Sequence, residues 1–136
     1  MIDLRGVRLV ALNSSADPRG RLTAIEGVTD VPFEIARVFY VHDVEPGHER
    51  GGHAHPYTEQ LLIGLGGGLS VDVCSPSERI TYCLDDPTRG LYVPEMLWVR
   101  LYAFSPGGVC LAIASTHYAN GDVIRDWNEY LRAAAG

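Results

Sequence analysis

Residues 47–66 read Gly-His-Glu-Arg-Gly-Gly-His-Ala-His-Pro-Tyr-Thr-Glu-Gln-Leu-Leu-Ile-Gly-Leu-Gly, and their spacing decides how the rest of the chain is read. His53 and His55 stand two apart, so on a β-strand their side chains share one face. Gly47 precedes His53 by five intervening residues, as a turn that introduces the strand would, and Glu59 and Gly66 follow at fixed offsets. After Glu59 the run Gln-Leu-Leu-Ile-Gly-Leu is almost continuously apolar, the pattern of a buried strand.

The pattern Gly-x5-His-x-His-x3-Glu-x6-Gly is the complete first motif of the cupin superfamily, and all five fixed positions are filled. In that superfamily the two histidines and the glutamate are metal ligands, and a histidine of a second motif, Pro-x-Gly-x-x-His, is the fourth. The corresponding stretch here is Pro94-Glu95-Met96-Leu97-Trp98-Val99, which puts valine where the fourth ligand belongs, and an aliphatic side chain coordinates nothing. Two chemistries follow. Two histidines and a carboxylate with open positions would suit a metal-dependent oxygenase or isomerase. Without metal, the same two imidazoles facing one cavity are poised to take and return protons.

The outward reading is of one domain, residues 1–136, in an all-β fold with a single C-terminal helix. A chain with 46% hydrophobic residues, 15 glycines and 8 prolines fits a turn-rich β protein better than a bundle. Strands are predicted over residues 5–12, 22–26, 35–44, 53–55, 59–65, 69–74, 79–84, 90–94, 97–104 and 109–114, with 13–20 as a polar turn. Such a succession of short strands separated by turn chemistry describes a sandwich or barrel. From Asp122 onward Val123, Ile124, Trp127, Tyr130 and Leu131 recur at the helical period, and Asn120 is the predicted N-cap.

A net charge of −6 speaks against a nucleic-acid partner held by general basic attraction. Cys74, Cys83 and Cys110 are odd in number and lack metal-ligand spacing, so they read as reduced thiols. Charges interrupt the N-terminus and every apolar run is too short for a bilayer, so a cytoplasmic location is expected, with no membrane partner.

Beyond the cupin motif, residues 17–22 (Asp-Pro-Arg-Gly-Arg-Leu), 31–40 (Val-Pro-Phe-Glu-Ile-Ala-Arg-Val-Phe-Tyr), 50–55, 59–63, 90–94 (Gly-Leu-Tyr-Val-Pro), Tyr118 and 122–126 (Asp-Val-Ile-Arg-Asp) resemble the sugar nucleotide 3,4-ketoisomerases, WxcM-like cupins. The resemblance runs through nearly the whole chain in order. It implies an RmlC-like jelly-roll barrel, a homodimer that exchanges N-terminal strands, and no cofactor. It also implies a reaction in which the carbonyl of a dTDP-4-keto-6-deoxyhexose moves from C4 to C3 through an enediol, in deoxysugar biosynthesis. His53 and His55 are then the catalytic pair. Arg19 and Arg50 match positions suited to the diphosphate of the nucleotide, and Tyr40, Tyr92 and Glu59 complete the expected substrate-binding set. Tyr92 and Trp98 also read as wall and core, Glu59 as a residue behind the imidazoles, and Arg125 as structural or at a dimer contact. Relatives often carry His or Arg where Val99 stands, and an aromatic residue where His42 stands; Arg100, one place on, points to the opposite face unless the strand bulges. The rival from another class is a sugar nucleotide binding module that binds without turnover.

Overall fold

A computed structural model of the chain describes residues 1–119 and 122–136. The elements in order are β1 (Arg8–Ala11), β2 (Asn13–Asp17), β3 (Gly20–Ala24), β4 (Arg37–Val41), β5 (Arg50–Ala54), β6 (Gln60–Leu65), β7 (Leu69–Cys74), β8 (Arg79–Leu84), β9 (Arg89–Val93), β10 (Trp98–Tyr102), β11 (Val109–Ala114) and α1 (Trp127–Ala135). A five-stranded sheet of order β1-β9-β6-β11-β4 faces a four-stranded sheet of order β5-β10-β7-β8, and β2 with β3 forms a separate hairpin. Every strand pair is antiparallel. This is the jelly-roll barrel of the cupins.

Alternation along the strands divides the apolar residues between two cores. Leu62, Leu91, Val93, Cys110 and Ala112 of one sheet meet Leu69, Val71, Val73, Val99 and Leu101 of the other inside the barrel. Leu61, Ile63, Tyr92 and Ile113, of opposite parity, form a second cluster on the outer face of the larger sheet, where Leu12, Val31 and Phe33 cover them. β6 is therefore buried on both sides, which is why its sequence is apolar without alternation. Each fully buried Leu or Val adds roughly 1.5–3 kcal/mol relative to exposure.

Two sequence expectations are corrected. Residues 13–20 are a hairpin rather than a turn: Asn13 pairs with Ala24 and Asp17 with Gly20, and every residue of β2 is exposed. With no buried face, the hydrophobic period that marks a strand is missing. The helix begins at Trp127, not at Asp122. Its N-cap is Asp126, whose side chain accepts from the Glu129 amide at 2.8 Å. Asn120, the N-cap expected from sequence, lies outside the described residues. Ile124 is instead extended and pairs with Ala54, their amides and carbonyls exchanging bonds of 2.9 Å, so residues before the helix supply backbone partners to the edge strand β5. The helix docks through aromatic rings. Trp98 lies 5.2 Å from Trp127 and 5.7 Å from Tyr130, and the fully buried Tyr130 donates its hydroxyl to the Met96 carbonyl at 3.0 Å.

Candidate active site

The two histidines are presented by a strand that is bent to do so. In the β5–β10 ladder Trp98 faces Ala54 and Val99 faces His53, but Arg100 faces Gly51, so Gly52 is the extra residue of a β-bulge. Gly51 and Gly52 have φ of 96° and 69°, and a Cβ on Gly51 would lie 2.8 Å from the Val99 carbonyl oxygen. Only glycine meets both demands at Gly51. Beyond the bulge the backbone is held from two directions: Ala54 by residue 124, and the His55 carbonyl by the Met96 amide at 2.8 Å.

His53 and His55 consequently meet edge to face, with ring centroids 4.8 Å apart. Both are half-buried, and burial is the main reason that both imidazoles are less basic than usual. For His53 a backbone hydrogen bond with Gly51 opposes the shift, while Arg125 and Arg50 add to it. For His55 the positive fields of His53, Arg37 and Arg125 join burial and bring the pKa down to about 4. Two neutral imidazoles side by side at neutral pH can accept a proton from carbon and pass one to oxygen.

His53 stands where two cavities meet. The inner cavity, of about 290 Å³, lies in the barrel among Phe39, Leu62, Val99 and Leu101, with Tyr40, His42, Arg50 and Gln60 as its polar lining. The outer cavity, of about 350 Å³, shares Phe39, Arg50 and His53 with it and adds His55, Arg37, Arg125 and residues 116–119, 122 and 123. Among the described residues, three arginines and one carboxylate, Asp122, line this outer space, a charge balance suited to an anion. The Nε of Arg37 is buried without a hydrogen-bond partner among the described residues, and its guanidinium lies over the rings of Phe39 and Tyr118 at 5.2 and 5.7 Å.

The sequence-derived site is thus assembled in part. Arg50 joins the histidines, and Tyr40, an exposed residue on the edge strand β4 with its ring 5.3 Å from that of His42, lies at the rim of the inner cavity. His42 lines the same cavity and shares its Nδ1 with Asp43 Oδ2 at 2.5 Å. Glu59 and Tyr92 do not line either cavity. The Tyr92 hydroxyl donates to Glu59 Oε1, and both belong to the outer face of the larger sheet, on the side of Leu61 and Ile63. Arg19 pairs with Asp17 at 2.6 Å in the β2–β3 turn, exposed and apart from both cavities. The bulge that would have let Arg100 replace Val99 exists, but on β5. β10 stays regular against β7, so Val99 points inward and Arg100 outward, to the buried Asp72 at 3.1 Å and to Glu49 at 2.6 Å.

This arrangement does not fit the metal set of the cupin motif. Glu59, the third ligand, spends its carboxylate on Tyr92 on the far side of the sheet, and Val99 occupies the fourth corner. Among the described residues no cluster of three His, Cys, Asp or Glu side chains is arranged to hold a metal ion.

Three residues escaped the sequence reading. Arg37 carried a signal, a charge on the strand face of Phe39 and Val41, which point into the barrel. Gln60 carried another, a lone amide at the parity of Leu62. Arg125 carried a signal as well, as part of the 122–126 stretch of the resemblance, but the apolar period places it on a helix and so reads it as structural or at a dimer contact, whereas it lines the outer cavity.

The family model described as WxcM-like, C-terminal matches residues 5–135. A TDP-4-oxo-6-deoxy-alpha-D-glucose-3,4-oxoisomerase of Aneurinibacillus thermoaerophilus is 34% identical over 128 residues, covering 94% of this chain and 92% of that protein. The 3,4-ketoisomerase QdtA of Thermoanaerobacterium thermosaccharolyticum in complex with TDP superposes with a TM-score of 0.94 at 37% identity, covering 98% of this chain and 97% of the other. A histidine-to-asparagine mutant of QdtA, solved with TDP-4-keto-6-deoxyglucose, matches at 36% identity and TM-score 0.93, covering 97% and 96%. By sequence match along almost its whole length, and by a barrel that superposes on ketoisomerases of known structure, the chain belongs to the WxcM-like, C-terminal family.

Proposed function

We propose that this protein is a sugar nucleotide 3,4-ketoisomerase acting on a TDP-4-keto-6-deoxyhexose in deoxysugar biosynthesis. The observation that carries the reading is the pair His53 and His55, edge to face and neutral, where an outer cavity lined by Arg37, Arg50 and Arg125 meets an inner cavity of mixed apolar and polar lining. The outer cavity takes the diphosphate through Arg37, Arg50 and Arg125, and the inner one takes the hexose. One imidazole removes the C3 proton, an enediol forms, and a proton returns at C4, so the carbonyl moves to C3 with no net change in atoms or electrons. The reaction needs neither redox cofactor nor metal. Burial is the main cause of the lowered basicity of both histidines, and binding of the diphosphate offsets the smaller part that comes from the neighbouring arginines.

The active form in this reading is a cytoplasmic homodimer. Its support is the exposed apolar surface of Leu22, Val38 and Tyr40 and the wholly exposed β2 of the hairpin. Exchange of the N-terminal strands would replace the β1–β9 pairing within one chain by the same pairing between two. Arg19 then serves the site of the second copy, since it is remote from the histidines of its own chain. No described helix is long and apolar enough to cross a membrane.

The test is incubation with TDP-4-keto-6-deoxyglucose in deuterated water, followed by NMR. Migration of the carbonyl to C3 with deuterium at C4 is expected, and the configuration at C4 identifies the product. Tight binding with an unchanged substrate spectrum would replace the isomerase by a binding module.

A further inference from the structure

Gln60 opens β6 with its backbone in the ladder between Val93 and Ala114. Its side chain is 5% exposed, yet it makes no hydrogen bond among the described residues. Nor is its amide sealed in the core as a buried group without a partner; it reaches the surface of the inner cavity. The same cavity is lined by the apolar side chains of Phe39, Val41, Leu62, Val99, Leu101 and Ala112 and by the polar groups of Tyr40, His42, Arg50 and His53, and none of these hydrogen-bonds the Gln60 carboxamide. An amide left unpartnered in apolar surroundings costs free energy, about 1–3 kcal/mol by mutational measures. An arrangement of that kind is stable in use when a ligand supplies the missing partner.

We infer that the Gln60 carboxamide is the hydrogen-bond donor to the sugar oxygen that gains negative charge during isomerisation. The inference rests on the ketoisomerase reading. When a histidine takes the C3 proton, the C3–H electron pair becomes the C3–C4 double bond and the C4 carbonyl pair moves onto its oxygen. Val99 provides no polar group at the inner end of the cavity. The Nε2–H of Gln60 donates to that oxygen; the O3 proton then passes to O4, the O3 electron pair forms the C3 carbonyl, and the double-bond pair takes at C4 the proton held by the histidine. No atom is gained or lost. In the low dielectric of a protein cavity a fixed donor is worth more than in water.

The experiment compares wild type, Gln60→Ala, which leaves room for the sugar, and Gln60→Leu, which keeps the volume, on TDP-4-keto-6-deoxyglucose, with TDP binding measured by calorimetry. Expected is a fall in kcat of about 10²–10³-fold in both variants, with KM and TDP affinity within about threefold of wild type. The deuterium exchange rate at C3 should fall in parallel, a readout that a merely structural glutamine would not move selectively. Wild-type kcat in Gln60→Ala, or a loss confined to KM, would overturn the inference while leaving the isomerase reading intact. A wild-type protein that binds TDP but leaves the ketosugar unchanged would overturn both.

Discussion

The Tyr92 hydroxyl donates to Glu59 Oε1 across neighbouring strands of the larger sheet, on the face opposite to the cavity. That bond withdraws the third residue of the histidine motif from the two histidines. Tyr92 is held protonated by burial and by the adjacent carboxylate, which both push its ionisation well above the usual phenol range. Tyr92→Phe should therefore lower stability by about 1–3 kcal/mol, because the carboxylate loses its donor, while kcat changes less than about threefold. Urea unfolding and steady-state kinetics check this; a large fall in kcat at unchanged stability would place Tyr92 against the substrate instead.

His53→Asn and His55→Asn should each keep TDP affinity within a few-fold and lose about 10²–10⁴ in kcat, the usual range for a positioned acid or base. Calorimetry with TDP and NMR turnover measure the two halves separately. Full activity in both variants would remove the proton-transfer role.

Protonation of the same pair links fold to pH. Both histidines have folded-state pKa values below the unfolded value near 6.5, with His55 at about 4. Between those limits the unfolded chain binds more protons, so this contribution to stability is complete above about 6.5 and is lost as pH falls toward about 4. Melting temperature should decline across that window, and less steeply in His55→Asn. An identical slope in the variant would show that other groups carry the dependence.

Arg37→Met removes the charge of a guanidinium whose Nε is buried and unpaired among the described residues while keeping much of its bulk. TDP affinity should fall by about 10–100-fold, equivalent to the loss of charged hydrogen bonds, and its dependence on salt should weaken. Arg125→Met should behave similarly. Unchanged TDP binding in both would move the diphosphate out of the outer cavity.

Arg100 belongs to a different structure, the buried Asp72 carboxylate with its donors Arg100, Tyr102 and Thr81. Arg100→Met leaves Asp72 two hydroxyl donors, so a loss of about 1–3 kcal/mol is expected with kcat preserved. Thermal melts and turnover together decide it: activity loss at unchanged stability would return Arg100 to the site.

What sequence could and could not convey is visible in particular residues. The x between His53 and His55 dictates a shared face because a strand has a period of two, and the apolar run after Gln60 dictates a strand covered on both sides. Spacing failed for Glu59 because the strand ends at Ala54 and a bend intervenes before β6, so parity is not carried from His55 to Glu59. Period failed at residues 13–17, where no face is buried, and at 123–124, where apolar residues pack beside β5 while mimicking a helical repeat.

By itself, then, the order of residues determined the barrel, the shared face of His53 and His55 at the end of a strand, and the absence of a ligand at Val99, since these depend on local period and on side-chain chemistry. Tertiary structure alone decided that Glu59 turns to Tyr92, that Arg37, Arg50 and Arg125 converge, and that Gln60 lines the inner cavity beside His53. Those facts arise where strands distant in sequence meet, and the bulge at Gly52 and the extended pairing of Ile124 with Ala54 fix how they meet.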